Sequence, residues 1–190
     1  MVISKGIDMR RWIAALAGLV VSATVIVPAL AALKVGEKAP NFTTEASLGG
    51  KVFTYSLANE LKKGPVVLYF YPAAFTKGCT IEAHLFADAT DKYKALGATV
   101  IGVSNDNIDT LNKFSLSECR SKFAVAADTT QSIMKSYDSV LLSKTSYADR
   151  VSYVIAPNGN IIYEYSSLSP EKHVENTMQA LQQWVTNNKK

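Results

Sequence analysis

The chain has 190 residues, a formal net charge of +4, 48% apolar residues and two cysteines. That charge excess is mild, and no basic cluster stands out beyond Lys189 and Lys190, so no nucleic-acid partner is expected. The two histidines, His84 and His173, have no metal-ligand company and there is no glycine-rich phosphate loop, so neither a metal nor a cofactor is expected, and both histidines read as ordinary surface or helix residues.

The first 31 residues read as a secretory signal peptide. Lys5, Arg10 and Arg11 form a basic region, Trp12 to Val27 is apolar and uncharged, and Pro28-Ala29-Leu30-Ala31 ends in a small-x-small cleavage pattern. The alternative is a retained membrane anchor, because Trp12 to Leu33 is long enough to span a bilayer. Cleavage after Ala31 leaves residues 32–190, 159 residues with a net charge of +2, which suits one domain with a single core in the periplasm or outside the cell. Both cysteines survive processing, and an oxidising compartment permits a disulfide between them.

Leu33 to Phe42 is an extended lead-in, Gly49-Gly50 a turn, Val52 to Tyr55 a short strand and Leu57 to Leu61 a helical turn. Val66 to Tyr71 is an unbroken β-branched and aromatic run, the pattern of a strand buried on both faces. Beyond it, Leu85, Phe86, Ala89, Tyr93 and Leu96 recur at helical spacing until Gly97. Thr99 to Val103 predicts a second buried strand, Ile108 to about Cys119 a helix, Phe123 to Ala126 a short strand and Thr130 to Tyr137 a short helix. Arg150 to Ala156 and Ile161 to Tyr165 flank the turn Pro157-Asn158-Gly159-Asn160 as a hairpin. A last helix, capped by Ser169 and opened by Pro170, carries the apolar stripe Val174, Met178, Leu181 and Trp184/Val185. This order predicts an α/β fold, a central mixed sheet covered by helices.

Cys79 falls at the start of the helix that follows the first buried strand, with Pro72 and Thr76 before it. Free N–H groups and the positive end of the helix dipole favour an anion there, and a thiolate is such an anion. The residues alone leave open a buried structural cysteine at 79, a helix cap at Thr76 and a surface arginine at Arg150.

The segment YFYPAAFTKGCTIE resembles the active-site motif of the peroxiredoxins, and the same chain carries Arg150 at the head of RVSYVIAPNGNIIYEY. The resemblance covers nearly all of residues 33–187 and implies a thioredoxin-like fold and thiol-dependent reduction of hydrogen peroxide or organic hydroperoxides. It implies that Cys79 is the attacking thiolate, that Arg150 reaches across to it, that Thr76 bonds the peroxide and the sulfur or oxygen, and that Pro72 shapes and shields the pocket. Glu82 either orients the arginine or faces solvent in the first turn. The reductant implied is a thioredoxin-like or other thiol donor, and a membrane partner enters only if the leader is retained.

The chain is most similar to the Q, or bacterioferritin-comigratory, subfamily, yet departs from it. Many members carry a resolving cysteine five residues after the first, where this chain has His84, and Lys77 stands where a proline is common. Other members place the resolving cysteine in the later helix, which makes Cys119 the implied partner; the bland alternative is a packed thiol. A rival reading, an exported thioredoxin-type thiol–disulfide oxidoreductase, needs C-x-x-C, whereas Thr76 and Glu82 flank Cys79 at that spacing. A catalytically silent binding domain is the third reading, separated from an enzyme by peroxide consumption with and without Cys79.

Overall fold

The computed structural model describes Met1 and residues 32–188, so the expected leader and its cleavage site lie outside the described residues. Among the described residues, no helix is long and apolar enough to cross a membrane. Seven strands form one mixed sheet in the order β2-β1-β5-β4-β3-β6-β7. They are β1 (Thr43–Leu48), β2 (Lys51–Ser56), β3 (Val66–Phe70), β4 (Thr99–Ser104), β5 (Ala124–Ala127), β6 (Val151–Ile155) and β7 (Ile161–Ser166). The helices are α1 (Leu57–Leu61), α2 (Lys77–Ala95), α3 (Ile108–Ser117), α4 (Ser132–Ser136) and α5 (Glu171–Asn188).

β3 is the axis of the molecule, and all five of its residues are buried. It pairs in parallel with β4 and antiparallel with β6. Alternation along the strand divides the core into two layers. Val66, Leu68 and Phe70 join Leu57, Ile101, Tyr137 and Tyr153 on one face. Val67, Tyr69 and Tyr71 join Cys79, Phe86, Tyr93, Phe114, Cys119 and Leu181 on the face covered by α2, α3 and α5. The Tyr69 and Phe86 rings stack at 4.4 Å between centroids, which fastens α2 to β3. Both cysteines therefore belong to the same layer.

Three expectations change. The sequence TTEASL gave no strand, yet it forms β1, pairing with β2 across the Gly49-Gly50 turn and with β5. Its buried pair, Ala46 and Ser47, are neighbours facing opposite sides, and the Ser47 hydroxyl is satisfied by Asn112 Oδ1 at 2.6 Å and Ser115 Oγ at 2.9 Å. The helix expected to reach Cys119 stops at Ser117, and Cys119 sits in the following turn, its N–H donating to Phe114 O at 3.0 Å. The stripe of α5 packs on the core as expected, with Leu181 buried and Val174, Met178, Trp184 and Val185 partly buried, but the buried line also takes in His173 and Thr177, because Tyr93 satisfies Thr177 from α2 and Ser152 satisfies His173 from β6.

The connection into β3 is closed by a tight contact. An added Cβ on Gly64 would stand 2.1 Å from Gly97 O, a backbone atom at the end of α2, and Thr99 N donates to Pro65 O at 3.1 Å beside it. Gly64→Ala must push the two segments apart, and overpacking of this kind costs about 1–3 kcal/mol. We expect its urea midpoint to fall with an unchanged m-value; an unchanged midpoint would show that the contact yields freely.

Candidate active site

Antiparallel pairing of β3 and β6 explains how residues far apart in sequence meet. Phe70, at the end of β3, pairs with Val151, at the start of β6. The chain leaving β3 runs through Pro72 to Thr76 into α2, while Arg150 immediately precedes β6 on the neighbouring strand. Arg150 thus lies beside the first turn of the Cys79 helix.

The guanidinium serves three acceptors. Nη2 donates to Cys79 Sγ at 3.4 Å, Nε donates to Leu168 O at 3.0 Å, and Nη1 is paired with Glu82 Oε2. Arg150 is 4% exposed, Cys79 1% and Glu82 0%, so the cluster is dry. Glu82 stands one helical turn after Cys79 on the inward face of α2, which resolves its two readings: it holds the arginine. Gly78 makes room for this arrangement, since a Cβ there would lie 3.1 Å from Arg150 Nη2. The first i→i−4 bond of α2 runs from Thr80 N to Thr76 O, so the N–H groups of Lys77, Gly78 and Cys79 precede the helix's own hydrogen bonding.

Thr76 occupies the N-cap position without a side-chain cap bond, and its exposed hydroxyl donates to Ala73 O at 2.9 Å. Its proton is engaged there, so the expected donation to the sulfur is absent in this state while the oxygen lone pairs are available to accept. Half-buried Pro72 lies in the connection, which Asp106 fixes by accepting from Ala74 N at 2.7 Å and Ser104 Oγ at 2.8 Å. Phe75 adopts a left-handed φ of 63°, and its half-exposed ring meets Phe114 of α3 edge-on at 5.2 Å.

Cys79 and Cys119 are both free thiols. Cys119 is fully buried, and burial, aided by Glu118, pushes its thiol far up, so it is protonated where it stands. The two residues after it, Arg120 and Ser121, both have left-handed φ values of 48° and 56°. His84, expected as an ordinary helix histidine, bonds Glu118 Oε2 at 2.9 Å and ties α2 to the Cys119 turn.

Sequence reasoning missed His173 and Asp106. His173 is fully buried, not at the surface: Ser152 Oγ bonds its Nδ1 at 2.8 Å, Nε2 bonds Ser167 O at 2.8 Å, and Nδ1 stands 3.7 Å from Glu82 Oε1. Its four-residue spacing from Thr177 and Leu181 was the available signal. The polar loop holding Asp106 was legible, but the bond to Ala74 was not.

A free thiol at a helix start, held by a buried arginine–carboxylate pair on a mixed α/β sheet, defines a thiol-chemistry site on a thioredoxin-like scaffold. Residues 35–164 match the AhpC/TSA family, and the chain belongs to that family, the peroxiredoxins. It is 36% identical over 148 residues to the chloroplastic peroxiredoxin Q of Oryza sativa subsp. japonica, spanning 77% of this chain and 66% of that protein. It is 33% identical over 148 residues to the chloroplastic peroxiredoxin Q of Sedum lineare, spanning 77% of each. The chain therefore spans just under two thirds of some curated relatives and more of others. Among solved structures, the peroxidoxin BcpB of Mycobacterium tuberculosis superposes with a TM-score of 0.72 at 27% identity, covering 80% of this chain and 97% of that one.

The buried carboxyl gives a pH signature. Burial, opposed by Arg150, pushes Glu82 up from 4.5 to about 8, while burial pushes His173 down from 6.5 to about 4. The Glu82 contribution to stability is complete below pH 4.5 and is lost as pH rises through about 8. The His173 contribution is complete above 6.5 and is lost as pH falls through about 4, so between 6.5 and 8 only Glu82 of this pair slopes. We expect the urea midpoint to fall from pH 6.5 to 8 and Glu82→Gln to flatten that slope; a rising midpoint would contradict the assignment.

Proposed function

We propose that this protein is a thiol-dependent peroxidase in which Cys79 attacks hydrogen peroxide or an organic hydroperoxide. The observation that carries this reading is the Arg150 guanidinium donating to Cys79 Sγ while Glu82 and Leu168 O hold its other edges. The thiolate attacks one peroxide oxygen along the O–O axis. A sulfur–oxygen bond forms as the O–O bond breaks, leaving a sulfenic acid and an alkoxide or hydroxide that takes a proton to become alcohol or water. Arg150 and the free N–H groups at the start of α2 stabilise the charge that grows on the oxygens, and Thr76 Oγ accepts from the peroxide O–H.

Cys119 then resolves the sulfenic acid: its thiolate attacks the Cys79 sulfur, a disulfide forms and water leaves. Burial keeps Cys119 protonated, so the turn has to leave the core before that thiol can react. Two consecutive left-handed residues after Cys119 favour such opening, each a conformation costing of order 1 kcal/mol in residues other than glycine. An external dithiol of thioredoxin-like type returns both thiols, taking up the two oxidising equivalents. Residues 1–31 direct the chain out of the cytoplasm and are removed; N-terminal sequencing of the exported protein is expected to begin at Ala32.

Intact-mass analysis after one equivalent of peroxide tests the reading. Wild type is expected to lose about two mass units and give a peptide linking Cys79 to Cys119, Cys119→Ser to accumulate sulfenic or sulfinic acid at Cys79, and Cys79→Ser to leave peroxide unconsumed. Peroxide turnover by Cys79→Ser would overturn the assignment. A wild type that stops at the sulfenic acid would make Cys119 a packing residue.

A further inference from the structure

We propose that the cavity at the end of the sheet remote from Cys79 binds a medium-chain carboxylate, with Leu48 and Phe53 as its apolar floor, the Tyr55 and Thr99 hydroxyls as donors and Lys94 as the countercharge. The cavity holds about 310 Å³, and Lys63, Lys122 and Glu60 border it as well. Thr99 opens β4 and pairs with Val66 at the start of β3, whereas Cys79 follows the other end of that strand. The proposal is therefore independent of the peroxidase reading.

The floor follows from strand register. Ala46 of β1, in the core layer that faces away from the cysteines, pairs with Phe53 of β2, and alternation puts Leu48 and Tyr55 on the same face. Ala124 of β5 pairs with Ile101 of β4 in that layer, and alternation brings Thr99 to it as well. This corner of the sheet is uncovered: Leu48 is 40% exposed and Phe53 39%. Such a concave apolar floor favours an apolar body over water. Tyr55 sets the polarity. It is 4% exposed, its ring stacks on Phe42 at 5.7 Å, and its hydroxyl has no hydrogen-bond partner among the described residues. Phenylalanine would make the same stack without a buried unpaired hydroxyl, an arrangement that folds avoid. Burial, with Glu60, pushes this hydroxyl well above its usual range, so it keeps its proton and can donate. Thr99 Oγ1, in the same wall, is also buried and unpartnered.

The rim sets the charge. Lys63 is bound to Glu60 at 2.6 Å and Lys122 to Asp91 at 3.3 Å, while exposed Lys94 has no carboxylate within ion-pair distance among the described residues. What the cavity leaves unmet is thus two hydroxyl hydrogens and one ammonium, all of them donors and together carrying a single positive charge. A carboxylate is their complement, since it only accepts, offers two oxygens and carries one negative charge. An uncharged chain gains nothing from Lys94, and a cation is repelled by it. At the ~30 Å³ that one water occupies, the space takes roughly ten non-hydrogen atoms, the size of octanoate.

The experiment is isothermal titration calorimetry of the full chain with sodium octanoate, and with octanol and octyltrimethylammonium as uncharged and cationic chains of the same length. Wild type is expected to take up one equivalent of octanoate with a Kd of about 0.1 mM, the affinity that roughly ten atoms give at ordinary ligand efficiency, and to bind the other two chains at least about fivefold more weakly. Lys94→Glu and Phe53→Asp are each expected to weaken octanoate about tenfold, and Tyr55→Phe about fivefold. Tyr55→Phe separates a ligand donor from a packing residue: its urea midpoint is expected to hold or rise, because the unpaired hydroxyl is gone, while its affinity falls. No uptake below about 5 mM octanoate, equal binding of octanol or of the cationic chain, or unchanged affinity in Lys94→Glu and Tyr55→Phe would overturn the site. Binding is read without peroxide, so its failure leaves the peroxidase reading untouched.

Discussion

A buried arginine governs this structure. Arg150 is taken out of water just before the start of β6, and a desolvated cation is tolerated only where its donors meet acceptors and its charge meets a partner. Here Leu168 O, Glu82 and Cys79 supply those acceptors from three different segments. Removing Glu82 would leave Nη1 of the buried guanidinium without its acceptor. The site is therefore one electrostatic unit, and the residues around it are arranged to keep it intact.

The sheet delivers that unit. Only antiparallel pairing of β6 with β3 places Arg150 next to the loop that follows β3, and the helix that loop enters carries Cys79 and Glu82 one turn apart on its inward face. Gly78 removes the side chain that would collide with the guanidinium. Asp106, at the end of β4, fixes the loop between strand and helix from the other side. Cys119 shares the core layer with Cys79 and lies in a turn with two left-handed residues behind it.

Much of this was legible in the chain. The run from Val66 to Tyr71 declared a doubly buried strand because no polar residue interrupts it, and the Asn158-Gly159 turn fixed the β6–β7 hairpin locally. What escaped depends on partners distant in sequence. β1 is a strand because β2 and β5 pair with it and because Asn112 and Ser115 satisfy Ser47; TTEASL by itself has neither alternation nor β-branched density on one face. His173 escaped because a histidine is polar in any periodicity count, and only Ser152, Ser167 and Glu82, brought from three other segments, make its burial affordable. Thr76 stands at the N-cap position of α2, but the direction of its hydroxyl depends on Ala73 O, which no spacing rule reports.

The central claim is that the forked geometry of Arg150, not its charge alone, readies Cys79. Lysine at this position keeps the charge but gathers its three donors on one nitrogen, which cannot reach Glu82, Leu168 O and the sulfur together. The most direct measurement is the stopped-flow second-order rate constant for hydrogen peroxide with reduced wild type and Arg150→Lys, both confirmed folded. The account predicts a loss of about 10²-fold in the lysine variant, the size expected when a placed transition-state donor is lost; a rate equal to wild type would contradict it.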